Sequence, residues 1–120
     1  MISIKRLFKS FRYAIKGMMK TLREEQNLHI QSIAAIIVVV LGAYFNLTRI
    51  EWIALILVIG LVIIMEVVNS AIERVTDMLK PRLNTYVKEI KDIMAAAVML
   101  ASIIAVLVGL IVFMPYISNM

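Results

Sequence analysis

Three long stretches of the sequence are almost free of charged side chains, and they limit the possible folds more than any other feature. They cover residues 30–48, 52–65 and 93–115. The first and third have the length of about 20 residues that a helix needs to cross a bilayer, and the second continues as a helical pattern beyond Glu66. A chain of 120 residues that is 62% hydrophobic cannot hide so much apolar surface in its own core. We therefore predict an all-α membrane protein and exclude a soluble enzyme, a disordered tail and a disulfide-built secreted module.

The sequence predicts a single domain over residues 1–120. In residues 2–27, apolar side chains recur at helical spacing on one face and bases occupy the other. This pattern is typical of an amphipathic helix that lies in the membrane surface. The segment is not a cleavable signal, because its apolar run starts late and no small-residue cleavage site follows. The three membrane helices are predicted at residues 30–48, 52–79 and 88–115, with Pro81 separating the last two.

The distribution of charge predicts the orientation in the membrane. The net charge is +5, and the bases cluster before the first span and within residues 66–92. By the positive-inside rule, the N-terminus and residues 66–92 are cytoplasmic, whereas the 46–51 turn and the C-terminus are outside. Five aromatic residues then fall at the outer interface: Tyr44, Phe45, Trp52, Phe113 and Tyr116. Because the bases flank apolar spans, we expect the partner to be a membrane with anionic lipid and not a nucleic acid.

A polar stripe follows the second apolar run and is the first candidate for a functional site. At about 100° per residue, one face of a helix carries all of its members: Glu66, Asn69, Ser70, Glu73 and Asp77. Polar groups at the end of an apolar span must face protein, water or an ion, and acids inside a membrane are functional candidates. The alternative is a patch that only caps the helix at the interface, but the alignment of five polar residues favours a site.

Other polar residues near the stripe are less informative alone. Lys91 and Asp92 begin the third membrane helix, and Glu24, Glu25 and Asn27 close the basic surface helix, as solvated helix ends do. Nucleotide-binding glycine motifs are missing, and the single histidine excludes a histidine metal cluster. The remaining carboxylates, amide, lysines and tyrosine suit Mg²⁺, which binds one or two carboxylates together with phosphates and water.

The sequence resembles the small bacterial integral-membrane lipid kinases, the prokaryotic diacylglycerol kinase and undecaprenol kinase family. The resemblance covers nearly the whole chain and is most specific in two motifs. The first is E-x-x-N-S-A-I-E-x-x-x-D, from Glu66 to Asp77, and the second is K-D-x-x-A-A-A-V, which starts at Lys91. Weaker matches are F-R-Y-A-I-K-G, which starts at Phe11, and E-Q-N, which starts at Glu25.

The resemblance implies a homotrimer of three membrane helices and one surface helix per chain, with active sites at the cytoplasmic interface shared between subunits. It implies that Glu66 is the general base and that Glu25 and Glu73 hold Mg²⁺ with the ATP phosphates. By the same resemblance, five positions line the nucleotide and phosphate site: Arg6, Tyr13, Asn69, Lys91 and Asp92. We expect Glu66, Asn69 and Ser70 to contact the lipid. Many relatives have a histidine seven residues before the Lys-Asp pair, where this chain has Asn84.

The predicted activity is the ATP-dependent phosphorylation of a membrane lipid hydroxyl. The T-R-I-E-W stretch that ends at Trp52, together with Glu25-x-Asn27, resembles the Gram-positive branch, which is associated with undecaprenol. Diacylglycerol is the alternative lipid substrate. Two other classes of protein stay open from the residues alone. One is a small ion-coupled transporter subunit that uses the membrane glutamate, and the other is a structural membrane protein whose acids only pair with lysines.

Overall fold

The computed structural model describes residues 2–120, and this part of the chain forms four α-helices. They are α1 (Ile4–Glu24), α2 (Gln26–Phe45), α3 (Arg49–Leu79) and α4 (Asn84–Ser118). Helices α2, α3 and α4 are each long and apolar enough to cross a bilayer. The predicted all-helical class with three candidate membrane spans is therefore confirmed.

The helix boundaries follow from local capping. The Ser3 side chain accepts a hydrogen bond from the backbone N–H of Arg6 at 3.4 Å, which starts α1. Glu25 is extended (φ −100°, ψ 112°) and serves both as the last cap of α1 and the first cap of α2. Where a surface helix was expected over 2–27 and a span from residue 30, α1 thus ends at Glu24 and α2 begins at Gln26.

The next two connections are short turns. Asn46 ends α2 in the left-handed conformation (φ 53°), which asparagine tolerates better than most residues. Thr48 and Glu51 then form a reciprocal capping box at the start of α3. Pro81 lies in the turn of residues 80–83 between α3 and α4. Helix α4 continues through Pro115 to Ser118, beyond the limit expected at residue 115.

A cluster of buried apolar side chains lies at one end of the bundle, which we call the aromatic end (residues 44–55 and 108–118). Leu47, Leu55, Val112 and Phe113 form its centre. The ring of Phe45 packs against two rings of α4, with centroid distances of 6.1 Å to Phe113 and 5.7 Å to Tyr116. Helices α3 and α4 share the most extensive contact in the fold, and the aromatic end is part of it.

Two contacts at the aromatic end are specific. A Cβ atom built on Gly42 would lie 2.8 Å from Cη2 of Trp52, so only glycine allows α2 to approach this ring. The Tyr116 hydroxyl donates a hydrogen bond to the carboxylate of Glu51. The same carboxylate accepts the backbone N–H of Thr48 at 2.9 Å. The start of α3 and the end of α4 are thus joined by polar as well as apolar contacts.

The opposite end, which we call the polar end (residues 21–29 and 66–92), is where α1 meets α2, α3 ends and α4 begins. Outside the core, large apolar side chains on the three long helices are exposed, as expected for surfaces that face lipid or another chain. They include Ile33, Ile37, Ile56, Leu57, Ile64, Leu107 and Ile111. The chain therefore separates a packed aromatic end from a polar end that carries most of the acidic side chains.

Candidate active site

The polar stripe of α3 is partly buried within the fold. Glu66 and Ser70 lie one turn apart on the same face, and their exposed fractions are only 6% and 1%. Asn69 and Glu73 occupy the adjoining positions and are half-buried. The Asn69 amide donates a hydrogen bond from Nδ2 to Oε1 of Glu73 at 3.3 Å. Helical periodicity alone places these four side chains together, which is why the sequence pattern indicated them.

Glu25 joins this stripe from the junction of α1 and α2. The Ser70 hydroxyl donates a hydrogen bond to Oε1 of Glu25 at 2.9 Å. Ser70 lies one turn beyond Glu66, so this hydrogen bond brings the Glu25 carboxylate to the face of α3 that carries Glu66 and Glu73. Three acidic side chains from two parts of the chain therefore converge at the polar end, around one buried hydroxyl.

The side chains of this cluster suit a hard cation. Glu25 and Glu73 offer carboxylate oxygens, and one oxygen of each already accepts a hydrogen bond that holds it in place. Mg²⁺ prefers such oxygens and completes its shell with phosphate oxygens and water. In residues 2–120, histidine and acidic side chains form no group of three or more placed to bind a metal ion. Any cation held by Glu25 and Glu73 would therefore need further ligands from outside this group of side chains.

Lys91 and Asp92 lie beside a separate pocket of about 420 Å³ at the start of α4. The ammonium of Lys91 lies 3.1 Å from Oδ1 of Asp77, and that of Lys80 lies 4.0 Å from the same oxygen. The neighbouring Lys91 amine lowers the pKa of Lys80 through hydrogen bonding and like-charge repulsion. The pocket is lined by Lys80, Asn84, Thr85, Val87, Lys88, Lys91 and Asp92. This pocket is rich in ammonium groups, a property that suits anionic phosphate.

Two predicted site residues lie away from the cluster within the chain. Arg6 and Tyr13 are exposed on α1. At 1.5 Å of rise per residue, they lie roughly 28 Å and roughly 18 Å along the helix from Glu25. Asp92 is also exposed. One chain therefore brings together Glu25, the stripe residues and, nearby, the Lys91–Asp77 pair, but not the N-terminal half of α1.

One contact at the polar end was not anticipated. Arg74 Nη2 lies 2.5 Å from Oε2 of Glu24, and the two side chains are 45% and 50% exposed. The sequence pattern predicts Glu24 as part of a solvated helix end and does not distinguish Arg74 from the other bases. The two residues are 50 positions apart, so local periodicity carried no signal for the pair.

The fold and the site define a class: a multi-pass membrane protein with a cluster of carboxylates at one end of the bundle. The prokaryotic diacylglycerol kinase family pattern matches residues 12–113. The chain is 35% identical over 112 residues to the undecaprenol kinase of Bacillus subtilis, covering 93% of this chain and 91% of that protein. It is 34% identical over 110 residues to the diacylglycerol kinase of Synechocystis, covering 91% of this chain and 63% of that protein. It is 31% identical over 102 residues to the diacylglycerol kinase of Escherichia coli K12, covering 85% of this chain and 84% of that protein.

The chain belongs to the prokaryotic diacylglycerol kinase family and is a lipid kinase of bacterial membranes. The resemblance stated from the sequence motifs is confirmed by these similarities. Membership of an enzyme family also argues against the two alternative classes, a transporter subunit and a purely structural membrane protein. ATP is the phosphate donor that a kinase family implies.

Proposed function

We propose that this chain transfers the γ-phosphate of ATP to the hydroxyl of a membrane lipid, and that this lipid is undecaprenol. The observation that carries the proposal is the convergence of Glu25, Glu66 and Glu73 at the polar end of an apolar helix. Phosphoryl transfer needs positioning and charge neutralisation more than covalent chemistry from the protein. Carboxylates at the boundary between lipid and water are placed for both substrates.

Glu66 is the proposed general base. It is buried and is the stripe acid nearest the apolar part of α3, where a lipid hydroxyl would lie. Its carboxylate takes the proton of the hydroxyl while the lipid oxygen forms a bond to the γ-phosphorus. The bond from that phosphorus to the bridging oxygen breaks, and ADP leaves with the electron pair.

Glu73 and Glu25 are the proposed ligands of Mg²⁺. Glu73 lies seven residues beyond Glu66, roughly 10 Å further along the helix, on the side from which ATP would arrive. The bound ion would neutralise phosphate charge at this position. The hydrogen bonds from Asn69 to Glu73 and from Ser70 to Glu25 orient the two carboxylates. Direction along α3 thus separates the lipid from the nucleotide.

The remaining predicted residues are proposed to bind the nucleotide or the lipid. Lys91 supplies a point charge for phosphate, and Asp92 lies beside it in the same pocket. Asn69 and Ser70 are proposed to reach the lipid as well, since they adjoin Glu66. Arg6 and Tyr13 lie far from Glu25 in their own chain. This distance supports a homotrimer in which they complete a site shared with another subunit, as the family resemblance implies.

The proposed orientation places the polar end in the cytoplasm. The bases of α1 and of residues 66–92 support this arrangement, because cytoplasmic segments carry the excess of Lys and Arg. The aromatic end then lies at the outer interface with the C-terminus. ATP reaches the carboxylate cluster from the cytoplasm in this arrangement.

Undecaprenol is preferred because of the relative in Bacillus subtilis and the Gram-positive character of the motifs around Glu25 and Trp52. Diacylglycerol is the alternative, supported by diacylglycerol kinases of similar identity. The test is a side-by-side assay in which the reconstituted full chain receives labelled Mg-ATP with each lipid. We expect faster transfer to undecaprenol; faster transfer to diacylglycerol reverses the choice of lipid, and no transfer to either rejects the proposed activity.

The assignment of the base is tested with Glu66→Gln. This change keeps the shape of the side chain but removes the proton acceptor, so turnover should fall by a factor of about 100 or more. Binding of a non-hydrolysable ATP analogue with metal should be retained. Glu89→Gln, an exposed acid at the start of α4, is the matched control and should keep the wild-type rate. A Glu66→Gln protein with wild-type turnover would show that another group is the base.

A further inference from the structure

The junction of α1 and α2 is a one-residue elbow centred on Glu25. Only Glu25 departs from helical conformation, and its backbone N–H still donates to the carbonyl of Thr21 at 2.9 Å. The carbonyl of Glu25 in turn accepts the N–H of His29 at 3.2 Å. Because two helices meet at this residue, the position of its carboxylate depends on the angle between them.

Two successive residues of the elbow bind two successive positions on one face of α3. Glu24 pairs with Arg74 at 2.5 Å, and Glu25 accepts the hydrogen bond from Ser70 at 2.9 Å. Ser70 and Arg74 are four residues apart, so they lie one above the other on the helix. The two contacts therefore fix both the place and the direction of the elbow on α3.

Besides these two contacts, a hydrogen bond from His29 Nε2 to the carbonyl of Leu22 crosses the elbow, and α1 has little other packing. Thr21 is the only buried residue of α1 among those that the structure describes, and Leu28 is the first buried residue of α2. An exposed ion pair contributes little to global stability. It can still set the direction of a helix that is attached mainly through its last turn, since there is little packing to oppose it.

We propose that the Glu24–Arg74 ion pair is a positioning device that holds the Glu25 carboxylate in the place where it serves the metal and the ATP phosphates. This inference rests on the proposed function, in which Glu25 is a metal ligand. Arg74 acts through the elbow and does not touch the reacting atoms. Its guanidinium fixes Glu24, and Glu24 fixes the adjacent Glu25.

The proposed positioning role and a purely electrostatic role for Arg74 predict opposite changes in the affinity for a divalent cation. The guanidinium is a positive charge paired with Glu24, the neighbour of Glu25, so removing it makes the surroundings of Glu25 more negative. If charge alone mattered, Arg74→Gln would bind a divalent cation more tightly. If position matters, the same change frees the elbow and binds the cation more weakly. The direction of the change in cation affinity therefore separates the two roles.

The experiment uses the reconstituted full chain and two measurements. The first is the Mg²⁺ concentration that gives the half-maximal rate at saturating ATP. The second is the binding of Mn²⁺ in the presence of a non-hydrolysable ATP analogue, followed by electron paramagnetic resonance without turnover. We expect both Arg74→Gln and Glu24→Gln to weaken cation binding by about fivefold, which corresponds to about 1 kcal/mol. The rate at saturating Mg²⁺ should stay within about twofold of wild type, since the ion pair leaves the reacting groups intact.

The charge-swapped protein, Glu24→Arg with Arg74→Glu, keeps the pair and the net charge and should restore affinity to within about twofold of wild type. Arg23→Gln removes a neighbouring exposed base by the same change of charge and is the matched control, with no weakening expected. Unchanged or tighter binding in Arg74→Gln overturns the proposal, and so does failure of the swapped protein to recover affinity. If the wild type is active and the variants give either of these results, only this inference is rejected. If the wild type is inactive on both lipids, the proposed function is rejected.

Discussion

The ammonium of Lys91 lies 3.1 Å from Oδ1 of Asp77, and this contact joins the start of α4 to the last turns of α3. Of the two side chains, Lys91 is 34% exposed and Asp77 is 62% exposed. Such a pair adds little to stability but restricts the position of the ammonium group. Lys91 is a proposed phosphate contact, so the effect of Asp77 should be visible in nucleotide binding.

We expect Asp77→Asn to raise the KM for Mg-ATP by about three- to tenfold, because Lys91 loses the partner that orients it. The kcat should change by less than about twofold, and the stability by less than about 1 kcal/mol. Steady-state kinetics over a range of ATP concentrations, together with thermal unfolding in one detergent, measure these effects. Asp77 has no orienting role if KM stays at the wild-type value.

The contact between Gly42 and Trp52 gives a prediction about packing. In Gly42→Ala the new Cβ would lie 2.8 Å from Cη2 of Trp52, so a ring in the packed aromatic end must move. Overpacking of this kind destabilises by about 1–3 kcal/mol. The free energy of unfolding in a fixed detergent should fall by this amount, and the additional change Trp52→Phe should recover part of it.

Gly60→Ala is the matched control for this prediction, because a Cβ at Gly60 meets nothing within 4 Å. The alanine should leave the stability unchanged or raise it by up to about 1 kcal/mol through helix propensity. Equal stabilities of the two alanine proteins would show that the close approach of Trp52 to Gly42 is not retained in the detergent used.

The hydrogen bond from Tyr116 to Glu51 gives a prediction that separates the two ends of the bundle. Tyr116→Phe removes the donor and keeps the ring, so the stability should fall by about 1 kcal/mol. The kinase rate should stay at the wild-type value, since the carboxylate cluster lies at the other end of α3. A double-mutant cycle with Glu51→Gln measures the coupling, and additive effects would contradict a direct interaction.

The basic face of α1 gives a prediction about the bilayer. Between Ile4 and Arg23 this helix carries seven bases and no acids, so anionic headgroups should attract it. Lys9→Gln with Lys16→Gln should weaken the insertion of α1, by roughly fivefold for each lysine. The emission of a tryptophan placed at Phe8 in a Trp52→Phe protein reports insertion as the anionic lipid fraction is varied. In neutral vesicles the lysine changes should have little effect; an equal effect there would argue against headgroup attraction.

The features that were predictable from the sequence are those with a local period. The apolar spans and the stripe from Glu66 to Glu73 follow from helical spacing within one segment. The sharp break at Glu25 was not predictable, because the polar residues around it suit either the end of one helix or the start of another. Because of this ambiguity, the sequence predicts a surface helix that extends to residue 27 and a span that starts at residue 30.

Contacts between residues that are far apart in the chain could not be predicted from the sequence pattern. Glu24 meets Arg74 only because the elbow turns α1 toward α3, and Ser70 meets Glu25 for the same reason. The closeness of Glu25 to the stripe was anticipated through family resemblance, not through periodicity. Tyr116 and Glu51 are 65 positions apart and were expected only as neighbours of the outer interface.

The exposed apolar side chains on α2, α3 and α4 determine what the stability of this protein means. A water-soluble domain gains most of its stability by moving apolar surface out of water into its own interior. Here much of that surface stays outside the chain's interior, on helices whose surroundings are hydrocarbon. Lipid or detergent is thus a component of the folded state, and a free energy of unfolding belongs to the chain together with its solvent. Values measured in two detergents describe two different equilibria, even when the protein is the same.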